Sequence, residues 1–174
     1  MNVPTSSTAT APNDPEVESC PCGSGSRYGQ CCARYHRGLA LAPTPEALMR
    51  SRYSAFALGG LGDYLIATWD PRSRDPELTA AQLDSRDNEW LGLEVIHTEH
   101  NGARGTVEFK ARFRPRDALA LSAMATLHER SRFRRVKGHW VYIDGMIDPP
   151  APSTSRNAPC PCGSGKKAKR CCQG

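Results

Sequence analysis

Eight cysteines carry most of the chemistry legible in this sequence. They fall into two clusters: Cys20, Cys22, Cys31 and Cys32, then Cys160, Cys162, Cys171 and Cys172. Both clusters spell C-P-C-G-S-G, and in both eight residues separate the second cysteine from the third. Three chemistries compete for such a pattern. Disulfides suit an even count, but a C-x-C pair and an adjacent C-C pair are poor partners within themselves. The leading segment "MNVPTSSTATAPNDPEVES" also lacks the basic and apolar regions of a secretory signal. A thiol redox site more often shows C-x-x-C on a βα unit, and no such unit is legible. Four-thiolate zinc fits best, because zinc takes a tetrahedron of soft ligands and a structural site fills all four positions with protein. The sequence therefore predicts two structural zinc ions per chain. With no coordination position left open, no catalytic residue is assigned.

The residues between the ligands suit that role. Pro21 and Pro161 stiffen the approach, and Gly23-Ser24-Gly25 and Gly163-Ser164-Gly165 permit tight turns that aim backbone N–H groups at thiolates. For modules this small, ligation is the main source of folding free energy, on the order of 10 kcal/mol.

Charge separates the two copies. Residues 151–174 hold five of the 23 lysines and arginines and none of the 18 acids, so the other residues balance and the formal excess of +5 sits wholly in the last segment. Two four-thiolate sites would lower that total to +1, which makes the distribution of charge more informative than its sum. Lys166, Lys167, Lys169 and Arg170 are the candidate partner contacts.

The rest of the chain must position these modules. Residues 1–18, rich in Thr, Ser, Ala and Pro, read as a disordered tail; 19–37 as the first zinc module; 38–148 as the main domain; 149–158 as a linker; and 159–174 as the second module. No run approaches the roughly 20 apolar residues of a membrane span, and a cytoplasmic location is expected. "TPEALMRSRYSAFALGG" offers Thr44 as a helix cap, Pro45 at the first helical position and Gly59-Gly60 as the stop. Its apolar side is Leu48, Met49, Tyr53 and Phe56. "LGDYLIATWDP" continues at helical spacing, and Thr79 with Gln82 forms a capping box for a short third helix. After Trp90 the period changes to two. Asn101-Gly102 marks one hairpin and Lys137-Gly138 another, while "DALALSAM" fits either a helical turn or the start of a strand. Helices followed by an antiparallel meander make an α+β domain.

Within the meander, Glu129 and Ser131 share a strand face with Leu127 and Phe133. Together with His128, Tyr142 and Asp144 they are the candidate pocket residues should that face be concave. Residues 110–137 hold nine lysines and arginines against two acids, so RNA or ribosome binding through the basic tail and these arginine-rich strands is the alternative function, set against a solvated, charge-balanced sheet face. "GSGKK" lacks the strand and the spacing of a phosphate-binding loop. His97 and His100, near Glu94 and Glu99, read as ordinary hairpin residues.

Both cysteine cassettes resemble the SEC-C motif, the zinc module at the C-terminus of the translocation ATPase SecA. There it binds the chaperone SecB and contacts ribosomes. The motif reads C-P-C-G-S-G-K-K-aromatic-K followed by its last two ligands. The first copy keeps the aromatic as Tyr28 but has Ser26-Arg27 for the two lysines; the second keeps Lys166-Lys167 but has Ala168 for the aromatic. The resemblance implies zinc at all eight cysteines and a partner such as a SecB-like chaperone or the ribosome. "PTPEALMRSRYSAF", "WLGLEV", "GTVEF", "LHERSRF" and "HWVYIDG" are similar to the YchJ family. That likeness implies a nuclear transport factor 2-like middle domain: helices packed into a strongly curved antiparallel sheet that forms a cone. It implies no established activity.

Overall fold

Thr44 begins the longest helix as its sequence predicts. It is extended, its Oγ1 accepts from the Ala47 N–H at 3.1 Å, and Pro45 takes the first helical position. The helix ends at Gly59, whose φ of 69° is left-handed backbone that glycine adopts without steric cost. The computed structural model describes residues 18–116 and 124–150. The expected tail but for Glu18, most of the linker, the second cysteine cluster with its basic residues, and all of "DALALSAM" but Met124 lie outside them. In chain order the elements are a 3-10 turn at Tyr28–Gln30 and helices α1 (Ala33–His36), α2 (Pro45–Leu58), α3 (Gly62–Ala67) and α4 (Ala80–Leu83). Strands β1 (Asn88–Asn101), β2 (Arg104–Pro115), β3 (Ala125–Val136) and β4 (His139–Ile147) follow. The capping box of Thr79 and Gln82 forms at the start of α4.

The four strands make one antiparallel sheet in the order β1-β2-β3-β4. Both hairpins fall where the sequence puts them. Asn101 pairs with Arg104 around Gly102, and Val136 pairs with His139 around Lys137 and Gly138, at φ 50° and 87°. Two φ values above zero in a two-residue loop match the twist of the flanking strands. Register shifts at Leu91 and Ile96 in β1 and at Ile143 in β4 add local twist and curve the sheet. Val107, Phe109 and Ala111 of β2, Phe133 of β3 and Trp140 of β4 point to the concave face and close on Leu48, Met49 and Tyr53 of α2. Helices packed on a curved antiparallel sheet are the α+β fold the alternation implies.

The opposite face is a ladder of ion pairs. Glu108 accepts from His128 Nε2 at 2.9 Å and from Arg130 at 2.7 and 2.9 Å, Asp144 pairs with Arg132, and Glu89 with Arg114. Beyond β4, the chain after α3 adds a short parallel bridge. The Tyr142 N–H donates to Thr68 O at 2.9 Å, and the Asp70 N–H donates to Tyr142 O at 2.7 Å. Asp70 is buried and clamps this segment to β3 by accepting from both Nε and Nη2 of Arg134.

Hydrogen bonds from Arg134 hold the Asp70 carboxyl down to about 2. A depressed folded-state value stabilises the fold above the ordinary carboxylate range, and that stability is lost as pH falls through the folded value. Asp70→Asn is therefore expected to cost about 2 kcal/mol near neutral pH. In thermal melts the gap to the parent narrows below about pH 4 and closes towards pH 2.

Candidate metal centre

The first cysteine cluster is assembled by a knuckle and a helix start. Ser19 bridges to Arg27, the Cys20 N–H donates to Ser26 O at 2.8 Å, and the Gly23 N–H donates to Cys20 O at 3.2 Å. Gly23 and Gly25 sit at φ 74° and 77°, so the two glycines of G-S-G allow the chain to reverse between the ligand pairs. The 3-10 turn then delivers Cys31, and Cys32 caps α1 by accepting from the N–H groups of Tyr35 and His36.

The four Sγ atoms lie within 4.8 Å of one another, with Cys22–Cys31 at 3.6 Å and Cys31–Cys32 at 3.8 Å. A tetrahedron with Zn–S bonds of about 2.3 Å has S···S edges of about 3.8 Å. Cys20, Cys22 and Cys32 are buried and Cys31 partly so. Among the described residues this is the one group of three or more His, Cys, Asp or Glu side chains placed to hold a metal.

The electrostatics call for a cation. Hydrogen bonds from Cys22 and Cys32 pull the Cys20 thiol far down, while the contact with Cys20 pushes Cys22 up and, with Cys22 and burial added, pushes Cys32 up steeply. Four thiolates this close repel one another, so holding them together requires a soft divalent ion between them. The surrounding donors are ready for that charge. The backbone N–H of Cys22 reaches Cys20 and that of Ser24 reaches Cys22. Ser24 Oγ lies 3.2 Å from Cys31 Sγ, and Ser54 Oγ of α2 lies 3.5 Å from Cys32 Sγ and 3.6 Å from Cys20 Sγ. Four thiolates with no other ligand type suit zinc in a structural role.

The module is docked onto α2. Arg50 donates to Cys22 O at 2.8 Å. His36 Nε2 lies 2.8 Å from Ser51 O, a group that can only accept, so Nε2 carries the proton and Nδ1 accepts from Tyr28 OH at 2.7 Å. Burial lowers the His36 pKa, consistent with this neutral form. Tyr28, the aromatic position of the cassette, is thus an inward anchor, only 9% exposed.

The candidate pocket residues divide. Glu129, Ser131 and Tyr142 meet on the concave face, where Ser131 Oγ donates to Glu129 Oε1 at 2.5 Å and Tyr142 OH donates to the same oxygen at 3.3 Å. His128 and Asp144 stand on the outer face in the ion-pair ladder: His128 alternates with Glu129 along β3, and the bulge at Ile143 turns Asp144 to the side opposite Tyr142. The concave trio lines a cavity of about 210 Å³ between α2 and the sheet. Sequence reasoning missed Arg52, which also lines it and is only 5% exposed. Burial brings Arg52 down to about 10, and burial with the neighbouring Glu129 charge pushes Tyr142 well above its ordinary value. The available signal was position: Arg52 falls three residues after Met49 and four before Phe56, on the apolar side of α2. The four basic residues and four cysteines of the second cassette lie outside the described residues.

Cys22→Ser in the full chain is expected to release about one zinc per chain, measured by elemental analysis of the purified protein. Cobalt loaded in place of zinc should lose part of its visible thiolate-tetrahedral absorption in that variant, and the parent should unfold on strong chelation of this site.

Comparison with known proteins agrees with this geometry. Residues 44–145 match the family described as "YchJ, middle NTF2-like domain", and residues 18–34 and 156–174 match the SEC-C motif. A UPF0225 protein of Serratia proteamaculans is 47% identical over 158 residues, covering 89% of this chain and 97% of its own. A UPF0225 protein of Photorhabdus laumondii is 45% identical over 164 residues, with 90% and 99% covered. Two solved SEC-C motif containing proteins superpose on the fold. One, from Rhodopseudomonas palustris, is 39% identical with a TM-score of 0.66 and covers 74% of this chain and 98% of its own. The other, from Psychrobacter arcticus, is 32% identical with a TM-score of 0.63 and covers 91% and 97%. The chain belongs to the YchJ (UPF0225) family, with an NTF2-like middle domain between two SEC-C motifs.

Proposed function

We propose that the chain is a cytoplasmic zinc-binding adaptor, whose first SEC-C motif anchors to the NTF2-like domain and whose second engages a partner, a SecB-like chaperone or the ribosome. One contrast carries this reading. Tyr28 orients His36, which donates to Ser51 O and so fastens the first module to α2, and the second copy has Ala168 where Tyr28 stands. The second copy thereby lacks the anchor, and it holds Lys166, Lys167, Lys169 and Arg170, most of the positive charge the rest of the chain does not balance. Basic side chains on a tethered module favour fast, salt-sensitive encounter with an acidic surface. Against RNA binding through the arginine-rich strands, Arg114, Arg130, Arg132 and Arg134 each meet a carboxylate, which leaves them less charge to offer phosphates.

Purified full chain should bind about two zinc. It should bind a purified SecB-like chaperone or co-sediment with ribosomes, and lose that binding when residues 151–174 are removed or Lys166, Lys167, Lys169 and Arg170 are changed to Glu. Binding unchanged by both changes would overturn the adaptor reading. Binding abolished by nuclease alone, in the chaperone assay or in lysate, would make RNA the partner.

A further inference from the structure

We propose that the cavity between α2 and the concave sheet face binds a small flat nitrogen heterocycle. Such a ligand, the size of one or two fused rings, would give an N–H to Glu129 and accept from Arg52. The volume, about 210 Å³, is below the 300–1,000 Å³ typical of pockets for drug-sized ligands. Its walls are Met49, Phe56, Trp69, Trp90, Phe109 and Leu127, a lining that favours a flat apolar body.

Two groups break the apolar lining, and both are built in. Glu129 is held through a single oxygen: Ser131 and Tyr142 both donate to Oε1, and among the described residues Oε2 takes no hydrogen bond. The sheet makes room for this carboxyl. Across the β3–β4 pairing, Gly145 lies so near that a Cβ there would stand 1.9 Å from Glu129 Oε1, so the strand gives up a side chain to admit an acid. Arg52 is held likewise by one nitrogen. Its Nη1 donates to Leu65 O and to Thr68 Oγ1, both at 2.7 Å, while Nη2 and Nε have no hydrogen-bond partner among the described residues. The guanidinium carbon lies 4.9 Å from the Tyr142 ring centre and 5.3 Å from that of Trp69. A cation buried to this degree, stacked on two rings and using one of its nitrogens, has donors left for a ligand acceptor. The outer-face pairs of Glu108, Asp144 and Asp70 contrast with this arrangement. Each of those acids is matched directly by an arginine, whereas Glu129 and Arg52 share a cavity without a direct hydrogen bond to one another.

Benzimidazole, which has one N–H and one acceptor nitrogen, and naphthalene, which has the ring area and neither, are suitable probes for the zinc-loaded full chain. Binding is read by amide chemical shifts and by quenching of Trp69 and Trp90 fluorescence. Benzimidazole is expected to bind with shifts confined to α2 and the concave strands, at least tenfold more tightly than naphthalene. Glu129→Gln is expected to weaken it about tenfold, and Ala111→Leu, which fills the cavity from β2, to abolish it. Thermal melts and zinc content check that both variants remain folded. Saturation by neither probe, naphthalene binding as tightly as benzimidazole, or Glu129→Gln binding like the parent would each overturn the proposal. None of these changes touches residues 151–174, so the outcome is separate from that of the adaptor test.

Discussion

The helix Pro45–Leu58 has no idle face, and that constraint organises the whole molecule. Leu48, Met49 and Tyr53 close the core of the sheet, Arg52 turns to the cavity, and Ser54 with the backbone carbonyl of Ser51 meets the cysteine module. Ser51 and Ser54 are 0% exposed, and Arg52 nearly so. Burying polar side chains in a helix is tolerated only where each finds a partner. Ser51 bonds Leu48 O at 2.8 Å and Tyr64 OH at 2.6 Å, and Ser54 reaches two sulfurs. Metal site and cavity are therefore two sides of one rod, and each depends on the other side being packed.

Much of this was legible locally. Helix caps, the capping box, both hairpins and the ligand spacing depend on residues within a few positions of one another, so short-range patterns specify them. What escaped reading depends on pairings across the chain. The single apolar side read from α2 is too narrow, because Ser54 and Arg52 become interior only once residues 20–32 and 65–69 pack against them. The pocket candidates occupy nearby strand positions, yet alternation along β3 sends His128 outward and the bulge at Ile143 sends Asp144 outward, leaving Glu129, Ser131 and Tyr142 within. The bridge of Thr68 and Asp70 to Tyr142 spans more than 70 residues and no local signal announces it.

The two cassettes share one ligand spacing but differ in the residues around it. Four cysteines gather the first copy around one point, and the residue at the aromatic position differs between the copies. In the first copy that residue is spent on the parent domain. A motif match covers both copies equally well and does not register that difference.

The bridge at Tyr142 has a further consequence for how the protein keeps to itself. A sheet with free outer strands is a template for pairing with other chains. Here β4 is covered at Tyr142 by residues 68–70, and that cover is locked by Asp70. At the other edge β1 carries two bulges and the charged Glu89, Glu94 and Glu99. One rim is covered at Tyr142 and the other is bent and carries carboxylates, features that disfavour edge-to-edge pairing of a curved, four-stranded sheet that does not close into a barrel.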